Sequence, residues 1–145
     1  MNKKYLLLFS ILIITIFYGC ALFSPTMSSF DQQAYSLTTS TKVDVLNMMD
    51  SAIYSYQSQI KNIKAVNSEL LKLYEYEKNR PKNTATLAQF HVLLDSSKAG
   101  TLYIPFLNLW KKKSTLDSSY IAGKRTQISQ AFDLISKLEI GKSKK

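Results

Sequence analysis

The chain has 145 residues, room for one domain and not for two that each bury a core. Apolar residues are 46% of it, a figure raised by the first 19, and the rest is rich in Leu, Ile, Ser and Lys with few Gly or Pro, which excludes a loop-rich or wholly disordered protein. The formal charge is +9, and +7 once Lys3 and Lys4 are set aside with the leader, so the partners to weigh are polyanions: nucleic acid, anionic lipid headgroups or an acidic cell-wall polymer.

Met1-Asn2-Lys3-Lys4 is a short positive region, and Tyr5 to Tyr18 is an apolar or weakly polar run that ends at Gly19-Cys20. That order is a secretory leader, expected over residues 1–19. A membrane-spanning helix needs about 20 apolar residues, and here the apolar character lasts only through Ala21-Leu22-Phe23 before Ser24-Pro25. The segment Phe17-Tyr18-Gly19-Cys20 resembles the lipobox of bacterial lipoproteins, in which a small residue precedes the cysteine that is diacylated and becomes the new N-terminus. Gly19 and Cys20 match that pattern, while Phe17 and Tyr18 are bulkier than its usual residues. The resemblance implies a lipid on Cys20, where two or three acyl chains hold a membrane stably and one would not. By similarity to enterobacterial sorting, Ala21 after the cysteine favours the outer membrane, facing the periplasm. A secreted chain is not expected to meet nucleic acid, and the single cysteine has no partner for an internal disulfide.

Residues 20–29, with Pro25 and three Ser, read as a lipidated tether. A helical domain is expected over 30–140 and a basic, frayed tail over 141–145. From Phe30 to Lys78 there is no Pro or Gly, and Ala34, Leu37, Val45, Met49, Ala52, Tyr56, Ile60, Ile63, Val66, Leu70 and Leu73 recur mostly at steps of three and four. That is one helix face. It predicts a single long helix over about 29–78, on the order of 75 Å, with any break or bend expected in the Ser- and Thr-rich stretch Ser36 to Lys42. Asn79-Arg80-Pro81 ends it, because proline disfavours helical geometry in the residue before it.

A second helix is predicted from about Thr84 to Lys98, with Leu87, Phe90, His91 and Leu94 on one side and Gly100 as its C-terminal cap. A third is predicted from about Thr115 to Leu138, with Ser114 as N-cap and Asp117 completing a capping box. Its apolar face is Leu116, Tyr120, Ile121, Ile128, Ala131, Phe132, Ile135 and Leu138. The expected class is all-α: a small bundle in which one long N-terminal helix carries two shorter helices folded back on it.

The segments Tyr74 to Asn83, Trp110 to Leu116 and Gln130 to Ile135 resemble those of an uncharacterised group of small helical bacterial lipoproteins. That resemblance spans roughly residues 30–142. It implies the lipoprotein and helical readings and brings no catalytic or binding residue with it.

Little in the residues points to chemistry. The one histidine, His91, has no Cys or second His to build a metal site, and Glu75 and Glu77, two apart on a helix, point away from each other. No nucleophile elbow or phosphate-cradling Gly-rich loop occurs. No enzyme activity, cofactor or metal is expected.

Two surfaces stand out. Thr101 to Trp110 is the most apolar part after the leader, and within it a short helix should begin at Pro105, with Phe106 and Leu109 buried and Trp110 partly exposed at the rim. Tyr103, Phe106 and Trp110 either seal the bundle or dock a partner, and Lys111-Lys112-Lys113 follows directly. Residues 111–145 carry a net +6, read as a solvated face or as a contact for anionic lipid or cell-wall polymer. The functional expectation is an envelope lipoprotein, membrane-held through Cys20, acting as a non-enzymatic interaction or structural module toward an envelope protein, lipid or wall polymer. The alternatives are a plasmid- or phage-encoded immunity or exclusion lipoprotein and a periplasmic ligand carrier. Oligomeric state is left open.

Overall fold

The computed structural model describes residues 27–95 and 101–142. The expected leader, Cys20, most of the tether, Gly100 and residues 143–145 lie outside the described residues. Five α-helices account for most of what is described, with no strand among those residues: α1 Gln32–Asp50, α2 Ile60–Lys78, α3 Thr84–Leu94, α4 Tyr103–Lys113 and α5 Ser118–Lys142, with a 3-10 turn at Ser51–Ile53. The all-α class is therefore observed.

Each helix buries a seam with the same rhythm. In α1 it is Ala34, Thr38, Thr41, Val45, Met48 and Met49, in α2 Ile63, Val66, Leu70 and Leu73, in α3 Thr86, Phe90 and Leu93, and in α5 Ile128, Ala131, Phe132 and Ile135. Steps of three and four keep these side chains on one stripe, the requirement for helices that pack lengthwise.

Three contacts fix α5 antiparallel to α1: Asp31 N–H donates to Glu139 Oε1 at 2.7 Å, Lys42 pairs with Asp133 at 2.6 Å, and Arg125 pairs with Asp50 at 2.9 Å. Tyr76 near the end of α2 donates to Asp31 at the start of α1, so those two are antiparallel as well. Tyr103 of α4 bonds Asn67 of α2 while Lys111 and Ile60 line one hollow, so α4 also runs against α2. The chain thus goes up in α1, down in α2, up again in two pieces, α3 and α4, and down in α5. We call the end where residues 28–31 enter the base and the opposite end the tip.

The expectation of one long first helix is corrected. The chain turns at residues 51–59, not at Ser36 to Lys42, and α1 and α2 pack against each other. A continuous helix would hold its apolar stripe out along its whole length with little to cover it, whereas folding it in half lets each half bury the other. Within the turn Tyr54 is extended, and Ser58 N–H and Oγ both bond to Ser55 O, at 3.0 and 2.7 Å. The supposed weak stretch is regular helix because Thr38 and Thr41 occupy the seam, and Thr38 Oγ1 donates to Ala34 O at 2.8 Å, satisfying the hydroxyl within its own helix.

Other boundaries move by a few residues. Helix α3 ends at Leu94, short of the expected Lys98. Helix α4 begins at Tyr103, which places Pro105 in its first turn, where a missing N–H costs nothing. The N-cap of α5 is Asp117, whose Oδ1 accepts from Ser119 N–H at 2.8 Å and Tyr120 N–H at 3.4 Å; Ser114 instead ends α4 with a positive φ of 67°. At its other end α5 continues through Gly141 to Lys142, so the expected tail begins as helix and its first lysine is buried.

Candidate functional site

At the base, the seams of α2 and α5 carry charge where apolar side chains would continue the pattern. One more step beyond Leu73 is Glu77, and the steps beyond Ile135 are Glu139 and Lys142, all buried. Arg80, just past α2, joins them: Nη1 donates to Glu77 Oε2 at 2.9 Å and to Glu139 Oε2 at 2.8 Å, and Nη2 to Glu139 Oε1 at 2.9 Å. Lys142 Nζ meets Glu139 Oε2 at 2.5 Å, Asn83 Oδ1 at 2.9 Å and Thr86 Oγ1 at 3.3 Å. Asn83 closes the ring by donating to Glu77 Oε2 and to the Glu77 carbonyl. Pro81 and the positive-φ Lys82 turn the chain tightly so that Arg80 and Asn83 both face inward.

This layer also grips the entering chain. Arg80 Nη2 donates to Ser29 O at 2.6 Å, Ser28 Oγ donates to Asn83 Oδ1 at 3.1 Å, and Asp31 N–H reaches Glu139. Burial alone would raise the Glu139 carboxyl, but hydrogen bonds from Arg80, Lys142 and the Asp31 backbone outweigh it and hold the group below its ordinary value. The Tyr76 hydroxyl lowers Asp31, and Asp31 in turn raises Tyr76. Both Glu139 oxygens are engaged in this way, whereas Glu77 uses only Oε2 and its Oε1 is buried without a hydrogen-bond partner among the described residues.

The tip is built differently. Trp110 is fully buried there: its indole N–H donates to Tyr54 O at 3.0 Å, and its ring meets Tyr56 and Phe106 edge-on at 5.5 and 6.2 Å between centroids. Tyr56 N–H bonds Ser114 O at 2.7 Å and Leu116 N–H bonds Ala52 O at 2.9 Å, so the α1–α2 turn and the α4–α5 turn are stitched together. Over this aromatic plug the surface is cationic. Lys111, Lys112 and Lys113 are exposed in the last turn of α4, and Lys61 and Lys64 are exposed at the start of α2. A hollow between these helices is lined by Tyr56, Gln57, Ile60, Lys111 and Ser114.

The six residues singled out as a patch are thereby divided. Tyr103, Phe106 and Trp110 are core, with the Tyr103 hydroxyl bonded to Asn67 and its ionisation pushed up by burial, and only Lys111, Lys112 and Lys113 face solvent. Trp110 was expected at the rim, and that is corrected. Fixing the α4 register by Tyr103 and Phe106 turns Trp110 inward, while Leu109 is the half-buried one. His91 is exposed, with its ring 6.5 Å from that of Tyr74. Among the described residues no group of three His, Cys, Asp or Glu is placed to hold a metal, and no helix is long and apolar enough to cross a membrane.

The base layer is the feature that sequence reasoning missed. Its signal was present in the spacing, since counting by three and four past Leu73 and Ile135 lands on Glu77, Glu139 and Lys142. No family model, curated protein or solved structure matches this chain.

Proposed function

We propose that this chain is a cell-envelope lipoprotein, held through acyl chains on Cys20 and, with Ala21 following, placed in the outer membrane facing the periplasm. Its helical bundle is a non-enzymatic interaction or structural module. The observation that carries the reading is the order of Lys3-Lys4, an apolar run and Gly19-Cys20, which supplies both export and a lipid acceptor. The grip of Arg80, Asn83 and Glu139 on Ser28, Ser29 and Asp31 supports it, because a domain on a lipid leash gains a defined exit point for the leash.

Metabolic labelling with an alkyne fatty acid tests the proposal. Wild-type protein takes up label and fractionates with membranes, and Cys20→Ala does neither. Label that persists on the variant sinks the reading.

A further inference from the structure

Two hollows lie on one seam, between α2 and the third column of the bundle. The tip hollow, about 470 Å³, is lined by Tyr56, Gln57 and Ile60 at the start of α2 and by Lys111 and Ser114 at the end of α4. The other, about 390 Å³, is lined by Leu71 and Tyr74 of α2 and by His91, Leu94 and Asp95 at the end of α3. Between them along α2, the Tyr103 hydroxyl bonds Asn67.

One stripe of α2 joins these points. Ile60, Lys64, Asn67, Leu71, Tyr74 and Lys78 follow one another at steps of four and three, beside the buried seam of the same helix. Ile60, Asn67, Leu71 and Tyr74 each meet the third column, so the stripe borders the groove along its length. Leu71 is 56% exposed although Tyr74 and Leu94 offer it apolar walls, so the groove has room for more apolar surface than the chain itself supplies. Ile60 and Leu71 are eleven residues apart, about 16 Å at 1.5 Å per residue.

We propose that this seam is a groove for an acidic amphipathic helix of a partner protein, which sets one apolar side chain in each hollow. Eleven residues is about three helical turns, so two side chains that far apart on one helix share a face and have the spacing of the hollows. Charge selects the partner. Lys111 stands in the wall of the tip hollow and Lys64 is exposed on the stripe, and neither is in an ion pair among the described residues, whereas Lys78 is taken up by Glu75. Unpaired positive charge therefore lies along the tip half of the groove, where carboxylates on the flank of an incoming helix meet it. A second copy of this chain would bring the same lysines and a formal charge of +9, so like charge disfavours it. The proposal rests on the reading of the bundle as an interaction module, and not on the lipid on Cys20.

The test uses the full chain in phosphatidylcholine nanodiscs and a fluorescein-labelled synthetic helix of about 18 residues, with Leu at i, i+4, i+7 and i+11 and Glu on both flanks, followed by anisotropy. Wild type binds it, and binding weakens as salt rises. Leu71→Ser and Lys111→Glu each weaken binding on the order of tenfold or more with the melting temperature unchanged, and Leu134→Ser, at an exposed leucine of α5, leaves it as it was. A peptide with the same Leu pattern and Lys flanks, or the Glu peptide with its sequence scrambled, binds about tenfold more weakly or worse. No binding by wild type, equal binding of the scrambled or Lys-flanked peptide, or equal loss in the Leu71 and Leu134 variants overturns the proposal. So does pairing of two chains through Leu71, read by energy transfer between differently labelled nanodiscs, which gives the groove to a second copy. Acyl label on Cys20 is followed separately, so labelled protein that binds no peptide defeats this proposal and leaves the anchored reading standing.

Discussion

Changing Arg80 to methionine keeps the length and apolar stem of the side chain and removes the charge that joins α2 to α5. The arginine side chain is 10% exposed, and its partners Glu77 and Glu139 are 0% and 1% exposed. Without it Glu77 keeps only the Asn83 amide, while Glu139 keeps Lys142 and the Asp31 backbone. Removing one member of a buried ion pair costs about 3–5 kcal/mol, because the remaining charge stays out of water without compensation. For a domain of this size that is a fall in melting temperature of about 12–20 °C. The exposed pair Lys72–Glu69 is the internal comparison, and Lys72→Met should cost no more than about 0.5 kcal/mol. Adding Glu77→Met to Arg80→Met removes the stranded carboxylate and should recover much of the loss. Thermal melts followed by far-UV circular dichroism read all four proteins. An Arg80→Met variant that melts within about 3 °C of wild type, or a double variant no better than the single, refutes the reasoning.

Trp110→Ala should cost about 3–5 kcal/mol and Trp110→Phe about 1 kcal/mol, the second chiefly through the lost bond to Tyr54 O. Trp110 is the only tryptophan, so its fluorescence should be blue-shifted and shielded from iodide in the native state, and quenching like that of free indole would show it exposed. Because the folded-state Glu139 carboxyl lies below its ordinary 4.5, its contribution is fully present above that value and lost as pH falls through the depressed one; Asp31 acts in the same direction. Melting temperature should be flat from pH 8 to about 5.5 and drop below about 4.5, with a shallower drop in Glu139→Gln, and an equal drop in that variant would remove Glu139 from the account. Gly123 sits inside α5 with open space where a methyl group would project, so Gly123→Ala should raise stability by about 0.4–1 kcal/mol, and a lower melting temperature would contradict the helical geometry there.

How much of this was legible depended on whether the signal was a period or an event. The helical period was readable throughout, and Leu70, Leu73, Phe90, Ile128, Phe132 and Ile135 are buried where it placed them. The turn at residues 51–59 was not, because Val45, Met49, Ala52, Tyr56, Ile60 and Ile63 carry the period straight across it and no Pro or Gly interrupts them. What breaks that helix is tertiary: Trp110 claims the Tyr54 carbonyl and Ser114 claims the Tyr56 N–H, and both partners lie more than fifty residues along the chain. The opposite error at Ser36 to Lys42 has the same root. Propensity marked the threonines as weak helix, and the packed seam overrode it. The base layer is invisible to apolar spacing alone, since Glu77, Glu139 and Lys142 keep the period and break the polarity.

The charge counted along residues 111–145 also changes meaning once folded. As a run it reads as one basic face, but α5 is antiparallel to α1 and 25 residues long, so it carries Lys142 about 37 Å away from where it starts beside Lys113. At the base that lysine is neutralised within an ionic ring that also holds Ser28, Ser29 and Asp31; at the tip Lys111, Lys112 and Lys113 stay exposed, with Lys111 sharing a hollow with Ile60 of α2. Desolvating an ionic layer contributes little to net stability, so its use lies in what an apolar layer would not supply. Its hydrogen bonds are directional and fix where the chain leaves the bundle. An apolar seam at the base would supply no such partners for Ser28, Ser29 and Asp31, and the entering segment would be free to swing.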